Sequence, residues 1–157
     1  MKKIMALLAI VLLGTTCMMA QERIKNETKF GAELGIGSEL ELGLRGELQL
    51  NDYVSWDILH AKYARDWQKN WSFNELSLTT GVRAYSPEFG PDLKAFGALD
   101  LGYGLMFKGG SGSTSCFALD FTLGIQINEH WYAGYGFGMM SHDGAHKDHL
   151  LRVGYCF

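Results

Sequence analysis

The sequence predicts an all-β fold of eight antiparallel strands closed into an up-and-down barrel. Three observations predict it. Large apolar residues alternate with polar residues or glycine in runs of about ten residues, which is the period of a strand and not of a helix. Eight such runs follow one another along the chain, and none contains a proline. The apolar fraction is 47% although the mean hydropathy is -0.03, so apolar and polar residues are interleaved throughout.

Composition limits the class of protein. The chain has 157 residues, a formal net charge of -3, and 20% charged and 13% aromatic residues. That length suits one domain, and the aromatic content is too high for a disordered chain. Because nucleic-acid binding needs a basic patch, the mild acidity argues against it. We expect one folded domain with no nucleic-acid partner.

The N-terminal segment has the features of a secretory signal peptide. Lys2 and Lys3 form its positive start, Met5–Leu13 its short apolar stretch, and Ala20 offers a small residue for cleavage. The apolar stretch is too short to span a membrane as a helix, which takes about 20 residues. A lipid-attachment signal at Cys17 is an alternative, but the residues before Cys17 match such a signal poorly.

The chain therefore divides into a signal peptide, residues 1–20, and a barrel domain, residues 21–157. No stretch of the second part approaches the roughly 18 consecutive apolar residues of a transmembrane helix. Export then leaves the periplasm, the outer membrane and the medium as destinations.

The first four strands are predicted from four apolar runs. In each run the apolar residues alternate with glycine or with polar residues, among them glutamate, aspartate, arginine, serine and threonine. These runs are Phe30–Ile36, Leu40–Leu50, Val54–Ile58 and Leu76–Ala84. At His60–Arg65 and Trp71–Asn74 the pattern does not determine which side chains face which side of the sheet, because a β-bulge there would shift the alternation.

The last four strands carry fewer charges and more glycine opposite their apolar residues. The sixth strand is the clearest, because six large apolar residues alternate without a break from Phe117 to Ile127. The four runs are Leu99–Phe107, Phe117–Ile127, Trp131–Met139 and Leu151–Phe157.

The links between the runs are tight turns or longer loops, and the link Ser86–Leu93 is longer than expected for a periplasmic turn. Tight turns are predicted at Ser38-Glu39, Asn51-Asp52 and Asn128-Glu129, and both prolines fall in the link Ser86–Leu93. The longer links are Ala64–Ser72, Lys108–Thr114 and Ser141–Asp148. If the first strand leaves the periplasm, these three longer links face outward, as in transmembrane barrels.

The polar face decides between two kinds of barrel. A soluble, lipocalin-like carrier would place its apolar face inside, whereas a transmembrane barrel places that face against lipid. The polar face here is rich in glycine, which suits the narrow interior of eight strands, and it carries both signs of charge for pairing. We therefore predict a transmembrane barrel with an interior charge network of Glu33, Glu41, Arg45, Glu47, Asp57, Glu75, Arg83, Asp100, Asp120 and Arg152.

The last strand ends in Phe157, with Tyr155 two residues before it. With the signal peptide and the eight runs, this ending resembles the small eight-stranded outer-membrane β-barrel proteins of Gram-negative bacteria. The chain departs from their usual assembly signal at Arg152, where a glycine is common. The resemblance implies residence in the outer membrane, contact with its lipid and lipopolysaccharide, recognition of Tyr155 and Phe157 by the barrel-assembly machinery, and a monomer.

The predicted loop Ser141–Asp148 and the neighbouring His149 hold the densest group of reactive residues. Ser141, His142 and Asp143 are the residue types of an acyl-transfer triad, and some eight-stranded barrels modify lipid A. A lipid A deacylase would have a histidine two residues before the serine, where this chain has Met139. The triplet His142, His146 and His149 would align on a helix to bind a metal, but Gly144 interrupts it. A solvated polar loop is the simpler interpretation.

We therefore expect no enzyme and no cofactor. The favoured role is structural, adhesive or surface-interacting, through the outer loops. The alternatives are a lipid A-modifying acyl hydrolase or transferase and a soluble small-ligand carrier. A porin is disfavoured because eight strands leave no aqueous channel. Cys116 and Cys156 begin and end strands at opposite rims, too far apart for a disulfide.

Overall fold

Eight antiparallel strands close into a barrel in which each strand pairs with its neighbours in the chain. The computed structural model describes residues 27–66, 73–108, 112–141 and 146–157. The predicted signal peptide lies outside these residues. The strands are β1 (Glu27–Gly37), β2 (Glu39–Gln49), β3 (Val54–Asp66), β4 (Phe73–Tyr85), β5 (Leu93–Lys108), β6 (Ser113–Ile127), β7 (Trp131–Ser141) and β8 (His146–Cys156). The predicted all-β, eight-stranded up-and-down barrel is confirmed.

The barrel closes where β1 meets β8. Leu34 pairs with Val153 in the middle of this seam. At its end, the amide of Phe157 donates to the carbonyl of Phe30 at 2.7 Å, and the amide of Phe30 donates back at 3.3 Å. Closure matters because hydrocarbon offers no partner to an unpaired strand edge. We call the rim near Glu27 and Phe157 the terminal end, and the opposite rim the loop end.

The two faces of the sheet are inverted relative to a soluble protein. Leu44 is 64% exposed and Leu151 is 68% exposed, whereas Arg83 and Arg152 are each 1% exposed. An apolar exterior around a charged interior is stable only against lipid. The arrangement therefore excludes the soluble carrier, whose apolar residues would line the interior. In the ranges given above, no helix is long and apolar enough to cross a membrane.

Two asparagines make the tight turns at the terminal end. The side-chain oxygen of Asn51 accepts from the amides of Tyr53 at 2.8 Å and Val54 at 2.7 Å. Asn128 has a positive φ of 55° and accepts from the amides of His130 and Trp131. Such side-chain to backbone bonds are the reason asparagine favours turns. Both predicted turns are present, each slightly longer than two residues.

The strands extend further toward the loop end than predicted. Only Ser38 separates β1 from β2, β3 continues to Asp66, and β5 continues to Lys108. β8 begins at His146, so the predicted loop Ser141–Asp148 was drawn too long. The physical reason is that polar residues in this fold are strand residues that point inward, and a polar stretch therefore does not mark a loop.

A β-bulge in β3 explains the phase left open by the sequence. The register shifts between Asp57 and His60 relative to β4. Ile58 and Leu59 therefore both face outward, at 41% and 50% exposure. After the bulge the alternation resumes one residue later, and His60 and Lys62 point into the lumen.

Some strands approach so closely that only glycine fits between them. A Cβ on Gly81 would lie 2.0 Å from the carbonyl oxygen of Leu99, and one on Gly102 would lie 2.0 Å from that of Leu78. Gly138, also in the lumen, is looser, because its Cβ would come no nearer than 3.5 Å to the Asp148 carboxylate.

We expect an arginine on the apolar exterior to cost most at the middle of a strand. Leu101 lies near the centre of β5, and Ile127 ends β6. Leu101→Arg should destabilise the barrel by about 2–4 kcal/mol and Ile127→Arg by about 1 kcal/mol or less, because the cost falls toward the membrane surfaces. Urea unfolding in lipid vesicles, followed by tryptophan fluorescence, measures both. Equal losses of stability in the two variants would contradict the placement of the apolar exterior in lipid.

The glycine contacts give a second expectation. Gly81→Ala should lower the free energy of unfolding by about 1–3 kcal/mol, because backbone atoms must move to admit the methyl group. Gly138→Ala is the matched control, since its new methyl group meets only ordinary van der Waals contacts. The same unfolding assay compares them. Similar losses of stability in both variants would show that the close approach of β4 and β5 is not the cause of the loss.

Candidate functional site

The lumen holds the charge network. All ten charged residues predicted for the interior are buried, with at most 5% of their surface exposed. They are Glu33, Glu41, Arg45, Glu47, Asp57, Glu75, Arg83, Asp100, Asp120 and Arg152. Buried charges are tolerated only when they are paired and hydrogen-bonded, so the partners of each decide what the network does.

Arg152 is at the centre of the network, and all five of its N–H groups have acceptors. Its Nε and Nη2 donate to the two oxygens of Glu41 at 2.7 and 2.9 Å. Its Nη1 and Nη2 donate to the two oxygens of Asp120 at 2.6 and 2.7 Å. Nη1 also donates to Thr122 at 2.6 Å. One guanidinium on β8 thus binds carboxylates from β2 and β6, across the lumen.

Glu33 is the second centre. It accepts from the Tyr132 hydroxyl at 2.6 Å and from Arg45 Nη2 at 3.2 Å. His60 Nε2 lies 2.7 Å from its other oxygen. The second ring nitrogen of His60 faces Asp100 at 3.4 Å. Since a carboxylate on each side can only accept, both ring nitrogens can bond together only when the ring is an imidazolium.

Lys62 completes the centre by bonding Asp120, and its ammonium lies 3.7 Å from Glu41. Sequence analysis missed Lys62 and His60 because both follow the bulge. The signal was present in the sequence, since the adjacent apolar residues Ile58 and Leu59 break the alternation. Tyr132 alternates with the apolar Trp131 and Ala133 and so faces inward by its phase, but nothing in the sequence pointed to its bond with Glu33.

Aromatic rings close the network toward the terminal end. The guanidinium of Arg83 lies 4.4 Å from the centre of the Phe96 ring and 5.1 Å from that of Tyr132. Its Nε is 3.8 Å from the Asp57 carboxylate. Tyr85 donates to Glu47 at 2.7 Å. Arginine stacked on aromatic faces keeps a favourable interaction with little water.

Cavities lie on both sides of this network. One at the terminal end, of about 120 Å³, reaches Arg83 and Tyr132. Another toward the loop end, of about 20 Å³, reaches Glu41 and Asp120. The central charges therefore separate the two spaces. Among the described residues the lumen is a filled core that joins opposite walls, as expected for eight strands.

The network itself is poorly suited to a metal. Ligand atoms of His60, Asp100 and Asp120 lie within 4.8 Å of one another. However, Asp120 already binds the guanidinium of Arg152 and the ammonium of Lys62. A metal ion there would meet two fixed positive charges, so this group works as an ion-pair cluster.

The residues proposed for acyl transfer do not form a described triad. Ser141 is the exposed last residue of β7. His142 and Asp143 lie outside the described residues. Of the three histidines considered for a metal, His146 and His149 belong to β8, and His142 lies outside the described residues. Metal binding by these histidines stays a hypothesis.

His149 has partners on the outer face of the barrel. Its Nδ1 bonds the Tyr135 hydroxyl, and its ring centre lies 5.2 Å from that of Phe137. Its backbone amide donates to the Ser38 hydroxyl at 3.1 Å. These contacts account for His149 as a packing residue at the loop end.

The residues proposed as the assembly signal both face outward. Tyr155 is 37% exposed and Phe157 is 69% exposed. Tyr155 packs edge-on against Trp131, with ring centres 4.8 Å apart, and stacks on His130 at 5.5 Å. This aromatic group lies at the terminal end, where amphipathic rings suit a membrane surface. Recognition of Tyr155 and Phe157 by assembly machinery stays a prediction.

Solved structures with the same architecture exist. The N-terminal β-barrel domain of Pseudomonas aeruginosa OprF aligns with a TM-score of 0.59 and 14% identity, covering 84% of this chain and 98% of that one. Neisserial surface protein A (NspA) aligns with a TM-score of 0.55 and 12% identity, covering 82% and 92%. The chain has the fold of the eight-stranded outer-membrane β-barrels. No protein-family model and no curated protein matches it.

The network predicts a large penalty for removing its central cation. Arg152→Met should destabilise the barrel by about 3–5 kcal/mol, because Glu41 and Asp120 would stay buried with too little positive charge. Lys94→Met is the control, since Lys94 pairs with Glu88 at 3.6 Å on a partly exposed surface and such pairs contribute about 0–1 kcal/mol. Urea unfolding in lipid measures both. Equal effects would rule out a central role for Arg152.

Proposed function

We propose that this chain is a non-enzymatic integral protein of the outer membrane of a Gram-negative bacterium. Its role is structural, adhesive or surface-interacting, and its specificity lies in the links at the loop end. One observation carries the proposal: an apolar belt surrounds a lumen filled by paired charges. In the part of the barrel that the structure describes, such a lumen offers neither a wide pore nor a substrate cavity, which leaves the ends of the barrel for interactions.

The orientation and export of the chain belong to the same proposal. The signal peptide, residues 1–20, is cleaved, and the loop end faces the cell exterior. In this proposal the first strand leaves the periplasm; link length does not set the orientation, because the longest link between strands, residues 86–92, lies at the terminal end. The barrel-assembly machinery recognises the outward-facing Tyr155 and Phe157 during insertion, and the folded protein is a monomer.

The proposed lipid partner is the anionic lipopolysaccharide of the outer leaflet. Near the loop end the outward-facing polar residues include Arg65 and Lys147, both exposed. The acidic residues at the same level, Glu39 and Asp148, are buried toward the lumen. An outward basic rim would attract lipid phosphates, since cationic side chains pair well with phosphate oxygens.

The loop segments provide the direct test. Residues 67–72 and 142–145 are replaced together by a Gly-Ser sequence of equal length, in cells that display the protein. We expect these cells to lose adhesion to cultured host cells and matrix proteins, because the specificity-bearing surface is gone. The matched control replaces residues 87–91, in the link at the terminal end, and should keep full adhesion. Folding of each variant is checked by its heat-dependent shift on a gel.

Two results would contradict the proposal. One is unchanged adhesion after loss of both loop segments in a folded variant. The other is altered lipid A acylation, by mass spectrometry, in a deletion strain that the wild-type chain restores and the Ser141→Ala chain does not. That second result would establish the lipid-modifying enzyme in its place.

A further inference from the structure

The cavity of about 120 Å³ at the terminal end has an ordered wall. The longest link between strands, residues 86–92, forms part of this wall. Backbone hydrogen bonds fix the link at both ends. The amide of Ser86 donates to the carbonyl of Ala95 at 2.8 Å, and the carbonyl of Asp92 accepts from the amide of Asn128 at 2.6 Å. The length of this link thus has a structural consequence, because it carries charged residues to the edge of the cavity.

Arg83 lines the deep end of the cavity and is short of hydrogen-bond acceptors. The residue is 1% exposed, and neither its Nε nor its Nη2 makes a hydrogen bond to a described residue. The Asp57 carboxylate lies 3.8 Å from Nε, which is beyond hydrogen-bond distance. Since buried donors are nearly always paired, this guanidinium points to an acceptor that comes from outside the chain.

Carboxylates surround the opening of the same cavity. Six acidic residues line it, together with two lysines and Arg83. Three of the six, Glu27, Asp92 and Glu129, are exposed and so lie where the cavity meets solvent. A negative opening attracts a cationic group and repels a simple anion. The deep end and the opening therefore favour opposite charges.

We propose that this cavity binds a small zwitterion, a molecule of the size of an α-amino acid with one carboxylate and one ammonium group. The carboxylate accepts hydrogen bonds from Arg83, because a guanidinium can bind a carboxylate through two N–H groups. The ammonium lies toward Asp92 and Glu129. A simple anion would meet the acidic opening and a simple cation would meet Arg83, so a ligand with both charges suits the cavity best.

The volume of the cavity agrees with a ligand of this size. A cavity of about 150 Å³ holds one benzene molecule, and alanine has the same number of heavy atoms as benzene. The site lies at the opposite end of the barrel from the links that carry the proposed adhesive role. Failure of the zwitterion site would therefore leave that role untouched.

The test uses three ligands that separate the two charges. They are L-alanine, propionate, which lacks the ammonium, and ethylamine, which lacks the carboxylate. Each is titrated at pH 7 into the protein purified from cell membranes in detergent, and NMR follows the backbone amides and the Nε–H of Arg83. We expect alanine to bind saturably at the terminal end. Propionate and ethylamine should each bind at least about tenfold more weakly, because each loses a hydrogen bond between charged groups.

Variants at the opening test the position of the ammonium. The double variant Asp92→Asn/Glu129→Gln removes two negative charges and keeps the side-chain shapes, and asparagine tolerates the positive φ of 56° at residue 92. It should weaken alanine binding by about fivefold, as expected for exposed ion pairs, and leave propionate binding no weaker. Asp66→Asn is the matched control, because Asp66 ends β3 at the loop end, and it should bind alanine as the wild-type chain does.

A variant at the deep end tests the position of the carboxylate. Arg83→Met should lose the binding of both alanine and propionate. Four results would overturn the site: no saturable alanine binding by the folded wild-type chain, propionate or ethylamine binding as tight as that of alanine, unchanged alanine binding in the double variant, or an equal loss in Asp66→Asn. Heat-dependent migration on a gel shows which variants fold. If Arg83→Met does not fold, the double variant decides, since both of its substitutions are at exposed positions.

Discussion

The structure depends on one interaction more than on any other: the guanidinium of Arg152 between Glu41 and Asp120. It joins β8 to β2 and β6 across the lumen, with each N–H group bonded. Charges enclosed by eight strands and lipid are poorly solvated, so they are stable only as complete sets. Once Arg152 is in place, the positions of both carboxylates are constrained, and with them the inward faces of their strands.

The glycines of the polar face follow from those long side chains. A Cβ on Gly136 would lie 2.6 Å from Arg152 Cζ, and one on Gly43 would lie 2.6 Å from Glu33 Cγ. An eight-stranded lumen has room for a large side chain only where its neighbours are small. At these positions glycine lies beside a charged side chain because the ion pairs take up the volume of the lumen.

Sequence periodicity was sufficient for the fold class and for the direction of most side chains, because strand alternation is a local property. It failed where the direction or the partner of a side chain depends on residues that are distant in the sequence. The bulge at Ile58–Leu59 hid His60 and Lys62, and the bond from Tyr132 to Glu33 joins residues 99 positions apart. The loop end was misjudged for a different reason. Asp148 resembles a loop residue, yet its strand runs on because the carboxylate faces a polar lumen.

The two ends of the lumen differ in chemistry, and this difference bears on where function can arise. At the terminal end, the guanidinium of Arg83 stacks on the rings of Phe96 and Tyr132, which pack edge-on against each other. At the loop end, Met140 and the carboxylates of Glu75 and Asp148 line a small cavity that also borders the network. The central ion pairs fix the strands, so the chemistry of the loop end can vary while the barrel stays closed. Because the central ion pairs stabilise the barrel, residues at one rim can change to suit a binding partner without loss of the fold.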